Sequence, residues 1–238
     1  MRDELARHFE GEELLPASGA PSAALGSTAL PGRGGAFRIA WPAIEGALVY
    51  RRSLRGGLLR KLTRDRFVGI TPRPFAEVAL SERLRQRSVP TPEIVFAVVR
   101  RYPSGVYRGA VATRWVEGAR DLADRLTALA ARGEPVDSPR VVASWREVGR
   151  VVGLMHAAGV VHADLNLRNV LIQGSDDAPA ALVLDLDRSR AGPRVSDRSR
   201  DANLARLRRS LRKFPDAARV TGAEAERALL DGYRAVAR

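Results

Sequence analysis

Two short β-branched runs, Val160-Val161 and Val170-Leu171-Ile172, enclose a polar loop that carries His162, Asp164 and Asn169. A third apolar run, Ala181-Leu-Val-Leu184, ends on Asp185 and is reached through Gly174-Ser-Asp-Asp-Ala-Pro179, which has turn composition. The pattern reads as strand, polar loop, strand, turn, strand. Taken singly, an Asp after a strand is a turn residue or a helix cap, and an Asn in a loop makes an Asx-turn. Their joint occurrence, in this order between predicted strands, is more than turn chemistry requires.

The spacing fits the kinase template H-R-D-L-x-x-x-N, in which the Asp accepts or orients the proton of the attacking hydroxyl and the later Asn binds magnesium. Asp164 and Asn169 match those positions, and Asp185 sits where the Asp of D-F-G would hold Mg²⁺. The triplet here is Asp185-Leu-Asp187, so a second carboxylate replaces the glycine, as a second-metal or supporting group. A hard cation sharing carboxylate, amide oxygen and ATP phosphates suits Mg²⁺, which protein groups rarely cage alone. His162 is expected to support the loop by hydrogen bonding and to take no part in proton transfer.

The chain has 238 residues, 45% of them hydrophobic, which is enough to bury a core in a two-lobed unit. The absence of cysteine excludes disulfides and thiolate metal sites and is compatible with a reducing cytoplasm. The first ten residues lack the apolar core of a signal peptide, and no run approaches membrane-spanning length, so a soluble or peripheral protein is expected. The formal net charge of +13, carried almost wholly by arginine, implies an anionic partner (nucleotide, nucleic acid or acidic membrane surface) or else a solvated basic surface. Aromatic residues make up 5% and do not cluster around the basic runs, which argues against a nucleic acid stacking platform. An anionic membrane surface therefore ranks above nucleic acid.

Residues 1–30 are expected to form a flexible N-terminal segment, with Pro, Ala, Gly and Ser abundant from 16 to 36. Gly32, Gly34 and Gly35 precede the strand pattern Phe37-Arg-Ile-Ala-Trp41 and are candidates for a phosphate-covering hairpin tip, although such a turn is also ordinary hairpin chemistry. The next strand, Leu48-Val-Tyr50, runs into Arg51, the candidate cation for the nucleotide phosphates, with Lys61 as its rival. Phe75, Val78, Ala79 and Leu84 have helical spacing, and Glu77 in the first turns is the expected ion-pair partner. After Pro90-Thr-Pro92, runs at 94–99 and 106–113 predict two more strands of a small, mostly antiparallel sheet. Residues 115–122 read as the connection between lobes.

Ser138 and Pro139 open a long helix with the stripe Val141, Val142, Trp145, Val148, Val152 and Met155, and Gly159 ends it. This helix delivers the Asp164 loop. In 198–213, Leu204, Leu207 and Leu211 mark an apolar face beneath many arginines, either a lobe helix with a charged exterior or a basic amphipathic surface for anionic lipid.

Arg51-Arg-Ser-Leu-Arg-Gly-Gly57, Lys61-Leu-Thr-Arg-Asp-Arg-Phe67, Arg73-Pro-Phe-Ala-Glu77, His162-Ala-Asp-Leu165 with Asn169, and Asp185-Leu-Asp-Arg-Ser189 together resemble the lipopolysaccharide kinase family. The resemblance covers roughly residues 30–213 and is closest to members that phosphorylate 3-deoxy-D-manno-octulosonic acid (Kdo). It implies an α+β, protein-kinase-like two-lobed fold, with a small antiparallel-sheet N-lobe at 31–114 and a mainly helical C-lobe at 115–238. It also implies ATP and Mg²⁺ as cofactors, and phosphorylation of a Kdo hydroxyl on a Kdo-lipid A type glycolipid. The cytoplasmic face of a Gram-negative inner membrane would be the place. Alternatives are a kinase of heptose, of an antibiotic or of another small molecule, a small protein kinase, and a non-catalytic pseudokinase scaffold. The protein kinase is disfavoured because no Ala-Pro-Glu follows Asp185. Arginine in place of lysine at Arg51 and the altered glycine after Asp185 suggest the scaffold.

Overall fold

The structure, a computed structural model, describes residues 11–16, 19–22, 24–30, 35–42, 44–54 and 65–237. The chain divides into two compact units, one of Met1–Ala79 with Glu93–Trp115, the other of Leu80–Pro92 with Val116–Arg238.

The first unit is built on an antiparallel sheet of β1 (Gly26–Ala29), β2 (Ala36–Ala40), β3 (Ala47–Arg52), β4 (Phe67–Val68), β5 (Ile94–Arg101) and β6 (Val106–Arg114). The order runs β1-β2-β3-β6; β5 lies along the far edge of β6, and β4 continues the near one. Alternation along β3 selects the inner face, so Leu48 and Tyr50 are buried with Ile39, Trp41, Ala110 and Ala112. The buried Tyr50 hydroxyl donates to Leu14 O at 3.0 Å, so the phenol enters the core with a partner. Within the segment expected to be flexible, Leu15 packs in this core and β1 pairs with β2. All four β1 residues are exposed, so this edge strand has no apolar alternation to read.

Helix α1 (Arg73–Gln86) forms where expected, but its buried face is offset from the predicted stripe. Glu77, Ser81 and Leu84 are buried, whereas Phe75 is 48% exposed.

The second unit holds α2 (Leu122–Ala131), α3 (Pro139–Ala157), α4 (Asp197–Ser210), α5 (Pro215–Val220) and α6 (Ala223–Arg234). They surround a small sheet in which β9 (Val170–Gly174) lies between β7 (Arg120–Asp121) and β10 (Pro179–Val183), and a short pair of β8 (Val160–Val161) with β11 (Arg190–Ala191). Ser138 caps α3 through Val141 N, and Val141, Trp145, Val148, Val152 and Met155 form the buried stripe as the periodicity predicts, while Val142, placed on the same stripe, is only partly buried. Helix α3 crosses α6 at backbone contact: a Cβ on Gly149 would strike Leu229 O, and one on Gly232 would strike Arg146 O. The turn of α6 that follows Gly222 is capped from a distance by Asp137, whose carboxylate accepts from Gly222 N, Glu224 N and Ala225 N at 2.8, 2.9 and 3.0 Å.

Helix α4 resolves the alternative for 198–213. Leu204 and Leu207 are buried in the core of this unit and Leu211 packs against it, so its apolar face is already occupied. It is a structural helix with a charged exterior. Helix α2 lies directly after the stretch read as a connection and was not anticipated. No helix among the described residues is long and apolar enough to cross a membrane.

Candidate active site

Helix α3 ends at Gly159, which takes φ +78° and whose missing Cβ makes room for Gly192 O. Gly192 N donates to Gly159 O at 2.8 Å, and β8 pairs with β11 from there. Arg83 staples the same corner, donating to Ala158 O at 3.0 Å and Gly192 O at 2.8 Å. The segment following Asp185 is thus sewn to the strand that launches the Asp164 loop.

His162, 1% exposed, joins the two halves of the site. Its Nε2 lies 2.7 Å from Leu184 O, an acceptor, and its Nδ1 lies 3.0 Å from Asp164 N, a donor. Those partners dictate a neutral ring protonated on Nε2. Burial holds the imidazole below its ordinary pKa, although the Leu184 carbonyl pulls the other way. One ring thereby fixes the backbone of Asp164 and of the residue before Asp185.

The Asp164 side chain is 72% exposed. Asn166 Nδ2 donates to Asp164 O and Oδ2 at 2.9 and 3.1 Å, while Asn166 Oδ1 accepts from Arg168 N at 2.9 Å. Asn169 Nδ2 donates to Asp164 O at 2.8 Å, so its Oδ1 is the atom left to ligate or accept. Leu184 N donates to Asn169 O at 2.9 Å, which places the backbones leading to Asn169 and Asp185 side by side. Asp185 has φ +55°, and its Oδ1 receives Asp187 N at 3.4 Å. The structure therefore assembles Asp164, Asn169 and Asp185 around one loop and one strand end, with Asp187 supporting Asp185 from its backbone.

A buried chain of polar groups lies beneath this loop. Asn203 Oδ1 accepts from His162 N at 3.0 Å, and its Nδ2 donates to His162 O at 2.9 Å. The same Oδ1 accepts from His156 Nε2 at 3.1 Å, which leaves His156 Nδ1 to accept the Tyr233 hydroxyl at 2.9 Å. Burial pushes His156 down from 6.5 to about 4. A depressed histidine pKa means the unfolded chain takes up a proton that the folded chain refuses, so stability is lost as pH falls from 6.5 towards 4. The loss from His156 is about 1.4 kcal/mol per pH unit, or about 2 kcal/mol by pH 5. Urea unfolding at pH 7 and pH 5 measures it as the difference between wild type and His156→Gln, in which the pH dependence is expected to shrink by that amount while the contribution of buried His162 remains. An equal pH dependence in the variant would exclude a buried neutral His156.

Helix α4 carries three residues that the sequence motif did not reveal. Asn203, Arg206 and Ser210 recur on one face, and each meets the loop: Asn203 at His162, Arg206 at Asp164 and Ser210 at Leu167. Ser210 Oγ accepts Leu167 N at 3.2 Å. Arg206, 49% exposed, holds a guanidinium nitrogen 3.8 Å from Asp164 Oδ1. Their helical spacing was the available signal, hidden among the many arginines of this segment.

In the first unit, Arg51 Nη2 lies 2.6 Å from Glu77 Oε1, and the glutamate side chain is only 7% exposed. The planar guanidinium thus occupies the end of β3, with its charge balanced by a carboxylate from the first turns of α1. Gly35, at φ +84°, leads into β2. Gly32, Gly34 and Lys61 lie outside the described residues.

Among the described residues no group of three or more His, Asp, Glu or Cys side chains is placed to hold a metal ion. Asp185 and the Asn169 amide oxygen instead offer two hard oxygen ligands, a set that suits a cation whose other ligands are phosphate oxygens and water. The residues present fit Mg²⁺ bound with a nucleoside triphosphate.

A strand-rich unit with an arginine–glutamate pair, and a helical unit whose loop and strand end present Asp, Asn and Asp, define a protein-kinase-like fold. A solved BubR1 kinase domain matches at TM-score 0.50 and 11% identity, over 74% of this chain and 49% of its own. A solved structure of WaaP in complex with acyl carrier protein matches at TM-score 0.60 and 20% identity, over 90% of this chain and 80% of its own. The sequence profile of the Lipopolysaccharide kinase (Kdo/WaaP) family matches residues 31–233. A 3-deoxy-D-manno-octulosonic acid kinase of Stenotrophomonas maltophilia (strain K279a) is 38% identical over 198 residues, 79% of this chain and 72% of the relative. The chain belongs to the lipopolysaccharide kinase (Kdo/WaaP) family.

Proposed function

We propose that the protein transfers the γ-phosphoryl group of ATP to a hydroxyl of Kdo on a Kdo-lipid A type glycolipid during lipopolysaccharide core synthesis. The observation that carries the reading is the loop in which His162 holds both Asp164 and the strand end before Asp185, with Asn169 bonded to the same backbone. Family membership and the relative acting on Kdo supply the acceptor class.

In this reading Asp164 receives the hydrogen bond of the sugar hydroxyl and takes its proton as the sugar oxygen–phosphorus bond forms and the bond from the γ-phosphorus to the departing ADP breaks. Asn166 occupies Asp164 Oδ2, which leaves Oδ1 for the hydroxyl. Asn169 and Asp185 would hold Mg²⁺, which would supply charge neutralisation at the nucleotide phosphates. Arg51, oriented by Glu77, orders the phosphate tail, with Lys61 its alternative, and Gly32, Gly34 and Gly35 cover the phosphates. Most of the rate would come from positioning and charge neutralisation.

Arg206 favours an acid sugar over a neutral heptose. It stands on the Oδ1 side of Asp164, where an acceptor carboxylate beside the reacting hydroxyl would meet a half-exposed cation. Arg206→Met is expected to raise KM for the Kdo acceptor about tenfold, equal to about 1.4 kcal/mol, with KM for ATP unchanged.

The test is mass spectrometry of Kdo-lipid A incubated with protein and Mg-ATP, alongside a heptose-bearing acceptor. One phosphate gained on Kdo is the expected result. Phosphate on heptose alone would reassign the acceptor, and no transfer despite bound ATP would indicate a non-catalytic scaffold. Action at the cytoplasmic face of the inner membrane, as a peripheral protein, belongs to the same proposal.

A further inference from the structure

Among the described residues, four other than glycine take a left-handed backbone: Ser88, Asp137, Asp185 and Arg188, at φ 55°, 56°, 55° and 62°. Such a backbone crowds the side chain against its own carbonyl and is uncommon outside glycine, asparagine and aspartate. Three of the four have an evident reason. Ser88 closes the end of α1, its N donating to Arg85 O at 2.9 Å; Asp137 caps α6; and Asp185 presents its carboxylate at the strand end. Arg188 has no such role in the fold. It is exposed, and its guanidinium makes no hydrogen bond or ion pair with the described residues.

The turn that carries Arg188 is firmly held. Ser189 N donates to Leu186 O at 3.0 Å, which makes Arg188 the third residue of a four-residue turn, where a positive φ calls for glycine. Leu186, 3% exposed, roots the turn in the core. Ser189 Oγ accepts from Ala163 N at 3.2 Å, and Arg190 pairs with Val161 in the ladder of β8 and β11. The turn is therefore fastened to the residue immediately before Asp164.

A strained arginine without a partner, on a turn fixed beside a reactive carboxylate, is the pattern of a side chain placed for a ligand and kept there at a conformational cost. Its planar fork suits an oxyanion. The bond to Ala163 ties the turn to the side of the loop where Asp164 receives the acceptor hydroxyl, whereas the nucleotide phosphates are met by the cation at Asn169 and Asp185 in the reading above. Arg206 already stands 3.8 Å from Asp164 Oδ1 as one counter-charge, so Arg188 is a cation beyond what the carboxylate itself calls for.

We propose that Arg188 is a specificity-determining residue that binds an oxyanion of the acceptor, either the carboxylate of the acid sugar or a phosphate of the lipid that bears it. The inference rests on the reading of an anionic glycolipid acceptor, but it is measured as binding without ATP, so the two can fail separately.

The experiment measures binding of Kdo-lipid A, in neutral detergent micelles, to the full chain without ATP, for wild type and Arg188→Gly. Glycine takes the left-handed backbone without a Cβ clash, so the variant is expected to melt no lower than wild type, and weaker binding by it is not a loss of fold. Affinity for the glycolipid is expected to fall about tenfold, with the dissociation constant for ATP within about twofold of wild type. Arg188→Lys, equally strained but still cationic, is expected to recover part of the affinity. Arg212→Ala, at an exposed position just beyond α4, is the charge-matched control and is expected to bind as wild type does. Kdo-lipid A stripped of its phosphates separates the two sources: a persisting gap between wild type and the glycine variant assigns the carboxylate, and a vanished gap assigns a phosphate. Wild-type affinity in Arg188→Gly, an equal loss in Arg212→Ala, or a loss of ATP affinity as large as that for the glycolipid would each overturn the proposal. So would a wild-type chain that does not bind the glycolipid. A gap in affinity without any phosphoryl transfer would uphold Arg188 as the anion site and remove the proposed function instead.

Discussion

Asp164→Asn is expected to slow phosphoryl transfer by about 10³-fold or more while leaving the dissociation constant for ATP within about twofold. The substitution is nearly isosteric, and the amide oxygen can still accept from Asn166 Nδ2, which now bonds to the carboxylate at 3.1 Å. The 3.8 Å contact with Arg206 would be lost, but both groups are largely exposed, so it contributes little to stability. What disappears is the proton acceptor. Single-turnover kinetics with bound ATP separate the two effects, since a fault in binding would move the dissociation constant and a fault in chemistry would not. Turnover at the wild-type rate would remove Asp164 from the reaction.

Asp185→Asn should be nearly as damaging, at about 10²–10³-fold in kcat, and for a different reason. Asp185 adopts a left-handed backbone, φ +55°, which Asn tolerates as well as Asp and which most other residues resist. The fold should survive, with a melting temperature within about 2 °C of wild type. The charge that would hold a divalent cation against the phosphates does not survive. A magnesium titration should show a much higher requirement and no full recovery. Ordinary magnesium dependence at ordinary rate would assign Asp185 a purely structural role.

The Asp164 loop was legible because its chemistry is written at fixed short spacing between β-branched runs, and short loops leave little freedom in where such side chains point. His162 was legible as a support for the same reason, and its bonds to Asp164 N and Leu184 O carry that role. Glu77 was legible from helical periodicity, and its ion pair with Arg51 spans a long stretch of chain. Phe75 shows the limit of that reasoning. Periodicity placed it on the buried stripe with Leu84; Leu84 is buried, but Glu77 and Ser81 share its inward face and Phe75 does not. A stripe in one short helix tells which residues share a face; the neighbours decide which face is covered.

Strand β1 and the cap at Asp137 were not legible at all. An edge strand of Gly, Ser, Thr and Ala has no apolar alternation, and its pairing is chosen by β2. Asp137 precedes α3 by a single residue in sequence yet caps α6, a choice made by the packing of the helices. Arg206 was one arginine among forty Lys and Arg residues until α4 set it one turn from Asn203 and opposite Asp164.

The sequence by itself determined the strand-loop-strand unit, the identity of the three oxygen-bearing side chains at its ends, and the basic character of the whole chain. Those are local properties, governed by steric preference, spacing and charge. Only the tertiary structure decided which arginine faces Asp164 and which leucines of α4 are spent in the core. Burial is a property of neighbours brought together from distant parts of the chain, and the sequence records a residue's preference for it without recording whether the fold grants it.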